Sequence, residues 1–229
     1  MQDYFAEFMA ASPTRMRPDY GWAFTGLSLP EDDQAPVEVE MLRTAGPAAG
    51  ATHRVRARYV VGCNGARSSV REAIGRRLIG DSANHAWGVM DILATTDFPD
   101  VRLKSAIQSG DGGSILLIPR EGGFLFRLYV DLGEVSADDA GAVRGTSAAE
   151  SIEIARRILH PYTLEVHDIA WSSVHEVGQR LTDKFDDVPV EMTGLRSPRV
   201  FIAGDACHTH SAKAAQGMNV SMQDGFNLG

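Results

Sequence analysis

The chain has only two cysteines, Cys63 and Cys207, in 229 residues. That is too few for a disulfide framework, and a reducing cytoplasm is the simpler setting. No apolar run approaches the ~20 residues that span a bilayer, and the first residues lack the layout of a secretion signal. No Gly-x-Gly-x-x-Gly occurs, so the usual fingerprint that cradles a dinucleotide pyrophosphate is missing from the chain. Positive charge is also short. The 22 Lys and Arg stand against 30 Asp and Glu, a net charge of −8. That balance argues against nucleic acid or an anionic membrane as a partner. There is no internal repeat and no low-complexity tract. The length is ample for one large domain or two modest ones with a real core.

What is present is concentrated in two runs. The first is Val200-Phe201-Ile202-Ala203-Gly204-Asp205-Ala206-Cys207-His208-Thr209-His210-Ser211, continuing through Lys213 and Gln216-Gly217-Met218-Asn219 to Asp224. A short apolar run stops at Gly-Asp, a small-residue loop follows, and a helical pattern begins. The pattern puts a carboxylate at the carboxyl end of a buried strand and a helix N-terminus beyond it, where α/β folds bind nucleotides. The carboxylate can accept from sugar hydroxyls, and the free N–H groups of the helix start can hold negative charge. The second run, Arg58-Tyr59-Val60-Val61-Gly62-Cys63-Asn64-Gly65-Ala66-Arg67-Ser68-Ser69-Val70-Arg71, also reads strand, glycine turn, helix. Ser68 is its N-cap, and Val70, Ala73 and Ile74 give a short apolar face.

Together these runs resemble the motifs of the single-component FAD-dependent aromatic hydroxylases, above all the phenol hydroxylase and 3-hydroxybenzoate hydroxylase branch. The resemblance implies that Gly204 and Asp205 meet the ribityl chain of FAD. It places Ala212, Ala215, Gln216, Gly217, Met218 and Asn219 along the flavin, where the N–H groups of Gly217, Met218 and Asn219 would stabilise anionic reduced flavin. The second run corresponds to the family's Asp-Gly motif near the pyrophosphate, tied to NADH or NADPH use. Its counterparts here are Asn64, Gly65, Arg67, Ser68 and Arg71. Asn64 stands where the family has Asp, keeping the hydrogen-bonding shape and losing the charge. Ala212 and Ala215 stand where the family usually has Pro and Gly.

The rest of the pattern follows the same outline. Tyr4, Phe5, Phe8 and Met9 have helical spacing that Pro13 ends. Trp22–Leu29, Val37–Leu42 and His53–Val61 read as strands, the first two separated by a turn over Pro30–Gln34. Strand-like segments follow at Trp87–Leu93, Leu103–Gln108, Ser114–Ile118 and Phe124–Leu132. A helix capped by Ser147 covers Ala148–Leu159, with Ile152, Ala155 and Leu159 on one face. Leu164–Val177 is a long strand. Asp138–Ser147, rich in Gly, Ala and Asp, is expected to be the most mobile loop. The fold class is α/β (α+β). Residues 1–82 are read as part of an FAD-binding domain, 83–196 as a large mixed β-sheet substrate domain with helices on one side, and 197–229 as a return to the first domain. The family opens with the glycine fingerprint and closes with further domains, so the resemblance implies that the chain is the middle of such an enzyme.

Several side chains carry two readings. Cys207, His208 and His210 have metal-ligating types, but no fourth ligand and no Cys-x-x-Cys partner accompany them. No metal is expected, and the resemblance makes them loop residues beside the flavin. Cys207 lacks the base and orienter of a nucleophile. Lys213 is either a cation favouring anionic flavin, and so catalytic, or a solvated loop lysine. In Trp171-Ser172-Ser173-Val174-His175-Glu176-Val177-Gly178-Gln179-Arg180, His175 stands where the branch tends to place a substrate-contacting Tyr. It is either a phenol-binding catalytic base or a partly exposed edge-strand histidine. Gln179 follows as a substrate contact. Arg127 is either a partner for a substrate carboxylate or a surface residue.

The activity that the resemblance implies is hydroxylation of a phenol or 3-hydroxybenzoate: NADPH or NADH reduces FAD, O₂ adds at flavin C4a, and the hydroperoxide transfers one oxygen. The family's frequent dimers imply a homodimer. Two other readings stand beside it, a non-catalytic domain unable to hold FAD and a flavin oxidoreductase that does not hydroxylate.

Overall fold

The structure is a computed structural model. It describes residues 2–30, 32, 34–80, 82–110, 112–134, 145–210 and 216–229, with the side chains of 82–84 and 176–177 excepted. Two compact units result. The first comprises Met1–Leu78, Thr182–Cys207 and Asp224–Gly229; the second comprises Ile79–Leu181 and His208–Gln223. Most of the loop expected over Asp138–Ser147, together with Ala212, Lys213 and Ala215, lies outside the described residues.

The first unit opens with helix α1, Gln2–Ala11, which stops before Pro13 as its spacing predicts. Tyr4, Phe5 and Phe8 are exposed on it. Strands β1 (Trp22–Ser28), β2 (Val37–Arg43) and β3 (Thr52–Ala57) form an antiparallel meander in that order. The run His53–Val61, expected as one strand, divides at Arg58 and Tyr59. Its first part pairs with β2, setting Val55 opposite Val39. The second part is β4 (Val60–Gly62), which pairs in parallel with β12 (Val200–Ile202). Val60 N–H donates to Arg199 O at 2.9 Å as the chain changes partners. Both parts have strand-forming residues, so periodicity alone does not reveal the division.

Helix α2 (Ser69–Ala73) follows β4, with Ser68 at its N-cap accepting from Arg71 N–H. Val70 and the strand residues Val37, Val39, Val200 and Ile202 share a core. Gly62 is what lets α2 lie this close. A Cβ built there would meet Val70 Cβ and Cγ1 at 2.7 Å. Gly62→Ala should therefore destabilise the fold by ~1–3 kcal/mol, the usual cost of overpacking. Urea unfolding that gives the same midpoint for variant and wild type would refute the close fit.

The second unit is built on strands β6 (Ser82–Thr96), β7 (Ser105–Gln108), β8 (Ser114–Pro119), β9 (Leu125–Glu134) and β10 (Leu164–Gly178). Their order is β10-β6-β9-β8-β7. The α/β class holds, but this sheet, expected as mixed, is antiparallel at every pairing. Where described, its strands follow one another by hairpins and short loops, which reverse direction, and among the described residues α3 (Ala148–Leu159) intervenes between β9 and β10. Helix α3 has a full capping box between Ser147 and Glu150. It buries Ile152, Ala155, Ile158 and Leu159 against Met90, Ile92, Ile115, Leu117, Phe126, Leu128 and Val130. Gly88 gives it room, since a Cβ there would stand 2.7 Å from Ser151 Oγ.

The shorter elements complete the chain. Strand β5 (Leu78–Ile79) falls at the sequence boundary of the two units. Arg180 and Leu181 of β11 (Arg180–Thr182) pair with Thr209 and His208 of β13 (His208–Thr209). Helix α4 spans Gly217–Leu228. No helix among the described residues is long and apolar enough to cross a membrane.

Candidate functional site

In the first unit the carboxyl ends of β4 and β12 lie side by side, because the two strands are parallel neighbours. Beyond Ile202 the chain turns through Gly204 in the left-handed region, φ 62°, and makes one 3-10 turn over Gly204–Ala206. Asp205 is exposed on that turn. Among the described residues its carboxylate has no hydrogen bond or ion pair, so it is available to a hydroxyl donor. Gly204, expected at the cofactor, has its N–H taken by Asp224 Oδ2 at 2.8 Å. Cys207 is buried and donates to Gly204 O at 3.2 Å. Burial first, and the Asp224 carboxylate second, push its thiol up to about 12. The exposed Cys63 thiol is raised too, by desolvation and then by Asp224. Both stay protonated near neutrality, which agrees with Cys207 not being a nucleophile.

The second motif divides between buried Ser68, Val70 and Arg71 and exposed Asn64, Ala66 and Arg67. Asn64 Oδ1 accepts from Ser68 Oγ, and its amide donates to Ser69 Oγ at 3.0 Å. Ser68 is fully buried. Arg71 is 7% exposed and its Nη1 donates to Ala206 O at 3.1 Å, tying α2 to the turn that carries Asp205. The side chains of Asn64, Ser68 and Arg71 thus shape the loop. Gly65, at φ 85°, provides a left-handed turn that few other residues adopt. Arg67 is exposed.

Helix α4 starts in the second unit. Its first backbone bond from outside the helix is Val220 N–H to Gln216 O, 3.0 Å. The N–H groups of Gly217, Met218 and Asn219 have no acceptor among the described residues, which leaves donors for negative charge. Gly217 packs against His210, whose Cε1 would lie 3.1 Å from an added Cβ. Gln216, Met218 and Asn219 are exposed.

In the second unit, strand alternation sends one set of side chains to the face away from α3. Register arranges them in rows. Trp171, Asp91, Arg127 and Ile118 lie across β10, β6, β9 and β8. Ser173, Val89, Tyr129, Leu116 and Ala106 form the next row, which reaches β7. His175 and Trp87 pair in the third, and Trp87 stands opposite Asp131. A cavity of about 240 Å³ opens on this face, walled by Trp87, Ala106, Gln108, Ser114, Leu116 and Tyr129 among others. Among the described residues, none of its lining side chains is charged.

Arg127 lies on this face, but its guanidinium is occupied. Nε and Nη2 each donate to Asp91 at 2.7 Å, and the group rests 5.3 Å from the Trp171 ring centroid. The Arg127 hydrogen bonds hold the Asp91 carboxyl below its ordinary range despite its burial, and the pairing raises Arg127 in turn. His175 is exposed, with its ring 6.1 Å from Trp171. Gln179 is exposed just beyond β10. Sequence reasoning did not single out Asp91, Trp87, His85, Ser114 or Asp131 for this face. The alternation was visible, but the cross-strand register that brings them together was not.

A model of the family described as FAD binding domain matches residues 25–229. The 3-hydroxybenzoate 4-monooxygenase of Comamonas testosteroni is 54% identical over 234 residues, covering 100% of this chain and 36% of that protein. A phenol 2-monooxygenase of Aspergillus fumigatus is 41% identical over 175 residues, 76% of this chain and 28% of that protein. Among solved structures, CabE, an aromatic hydroxylase from angucycline biosynthesis, is similar with a TM-score of 0.63 at 27% identity. That match covers 90% of this chain and 37% of CabE. The chain thus spans roughly a third of the length of these relatives.

Proposed function

The chain belongs to the FAD binding domain family, and from that premise we propose that it serves the FAD-dependent hydroxylation of a small phenol, 3-hydroxybenzoate or a near relative. The observation that carries this reading is the uncharged, aromatic-walled cavity of about 240 Å³ on the sheet face of the second unit. Its size suits one ring better than a fused polycycle, and Gln108 and Ser114 offer hydroxyl and amide partners without a fixed charge. The relatives named above act on 3-hydroxybenzoate and phenol by their names, which agrees with a one-ring substrate.

FAD, when bound, supplies the redox and oxygen chemistry. The residues fit it in the first unit: Asp205 is exposed and unpaired among the described residues at a strand end, as a ribityl partner must be. In the second unit, the open N–H groups of Gly217, Met218 and Asn219 offer donors to negative charge. Asn64, Ser68 and Arg71 support the loop, on which Asn64 and Arg67 are exposed; Gly65 gives it a left-handed turn. The roles of Ala212, Lys213 and Ala215 along the flavin rest on the family resemblance, since these residues lie outside the described ones. NADPH or NADH as reductant, O₂ as oxidant, a homodimer and a cytoplasmic setting belong to the same proposal.

On the substrate side, His175 is assigned to a hydrogen bond with the phenol and Gln179 to assist; the support is that His175 is exposed and pairs in register with Trp87, which walls the cavity. Arg127 does not serve as a carboxylate clamp in this reading. Asp91 already fills its donor fork, and the pair instead stiffens the face beside the cavity. A titration of the purified chain with FAD, followed by flavin fluorescence, tests the cofactor half. Saturable binding at micromolar FAD is expected. A folded chain that leaves the flavin signal unchanged would sink the reading.

A further inference from the structure

We propose that Asp224 is a positioning residue for the flavin, holding from α4 the turn that carries Asp205. The inference rests on the reading of Asp205 as the ribityl partner. Asp224 lies about two turns into α4 and belongs, with Gly204, Asp205 and Cys207, to the first unit. Its Oδ2 accepts from the Gly204 N–H at 2.8 Å and stands 3.9 Å from Cys207 Sγ. Gly204 is where this hold matters. It is left-handed, φ 62°, and the 3-10 turn over Gly204–Ala206 begins on it. Glycine has more backbone freedom to lose than any other residue, so a turn that starts on one is easily rearranged. The Gly204 N–H is bonded to Asp224, and its O accepts from the Cys207 N–H at 2.9 Å and the Cys207 thiol at 3.2 Å. These bonds fix the peptide groups on both sides of its Cα. At the far end of the turn, Arg71 Nη1 donates to Ala206 O at 3.1 Å. Asp205 sits between the two holds and is exposed.

Local preference does not explain an aspartate at this place. Asp is a poor residue for a helix interior, because its short carboxylate competes for backbone groups. Helix α4 ends at Leu228, one turn beyond Asp224, and a negative charge toward a helix C-terminus opposes the macrodipole. The carboxylate is also partly withdrawn from water. A charge that weakens its own helix is accounted for by what it binds, here a backbone N–H of the turn that presents Asp205. A residue that acts through Asp205 should matter to the flavin only while Asp205 is there.

The test is a fluorescence titration with FAD of the wild-type chain, Asp224→Ala, Asp205→Ala and the double variant. Asp224→Ala should weaken binding at least ~fivefold, the low side of the coupling between linked sites. In the Asp205→Ala background the same change should weaken it by less than ~twofold, because residues that act as a unit are not additive. A merely structural role would weaken binding equally in both backgrounds, and equal losses overturn the proposal. Undiminished affinity in Asp224→Ala overturns it as well. Hydrogen exchange of the Gly204 amide, followed by NMR on the wild-type chain without flavin, decides the matter if Asp224→Ala fails to fold. That amide should exchange at least ~tenfold more slowly than in a free peptide. An unprotected Gly204 amide in a chain that binds FAD normally overturns the role of Asp224 alone. A protected amide in a folded wild-type chain that does not bind FAD overturns the flavin reading and the positioning role with it.

Discussion

Asp205→Ala should weaken FAD binding at least ~tenfold while leaving the melting temperature unchanged. Hydrogen bonds to a charged acceptor contribute about 1.5–3 kcal/mol, and 1.4 kcal/mol is about a factor of ten. The carboxylate stands exposed on the turn after β12 and has no partner among the described residues. Removing it therefore breaks no bond of the fold itself, which separates a binding role from a structural one. Asp205→Asn, which keeps the acceptor oxygen and loses the charge, should fall between the two. Undiminished FAD affinity in Asp205→Ala, measured by fluorescence titration, would remove Asp205 from the ribityl role.

The largest stability effect is expected at Asp91. Asp91→Asn should lower stability by about 2–4 kcal/mol, because losing one partner of a buried pair leaves an uncompensated charge. The lower end is favoured by the 26% exposure of Arg127, which keeps some contact with water. For a chain of this size each kcal/mol moves the melting temperature by about 2–4 °C, so a drop of about 5–10 °C should appear in a thermal scan. The pH dependence has a definite sign. The folded-state carboxyl is held below its ordinary value, so the pair's contribution is complete above about pH 4, the usual range of a free carboxylate. It is lost as pH falls through the lowered value. The gap between wild type and Asp91→Asn should close in acid. A gap that stays constant from neutral pH into acid would show that charge pairing is not its source.

The elements that sequence pattern revealed are those whose signal is local. α3 was legible because Ser147, Glu150 and the spacing of Ile152, Ala155 and Leu159 specify a cap and a face within one turn of one another. The strands of the second unit were legible because alternation is a two-residue signal. What stayed hidden depends on neighbours distant in sequence. The division of His53–Val61 is dictated by β2 on one side and β12 on the other, and no residue at Arg58 or Tyr59 announces it. The same holds for the site. The turn that carries Asp205 was legible from its own Gly-Asp pair. The engagement of Arg127 by Asp91 was not, since the two are 36 residues apart and meet only through the β6–β9 register. Asn64 was read as keeping the hydrogen-bonding shape of the family's Asp, and pattern did not reveal that its amide ties together the hydroxyls of Ser68 and Ser69.

Strand β10 forms one border of the five-stranded sheet. Its register against β6 shifts between Val166 and Asp168 and again between Ile169 and Trp171. A straight border fifteen residues long, with exposed Ile169 and Trp171, would invite another chain to add a strand to it. Two irregularities in succession twist that border and break the even spacing of its outward N–H and C=O groups. Asp168 sits between them, and an incoming strand would have to bury its charge. The same shifts that carry Trp171 onto the face beside Arg127 therefore guard the sheet against aggregation. Straightening β10 by deleting one of these residues should endanger solubility before it endangers the fold.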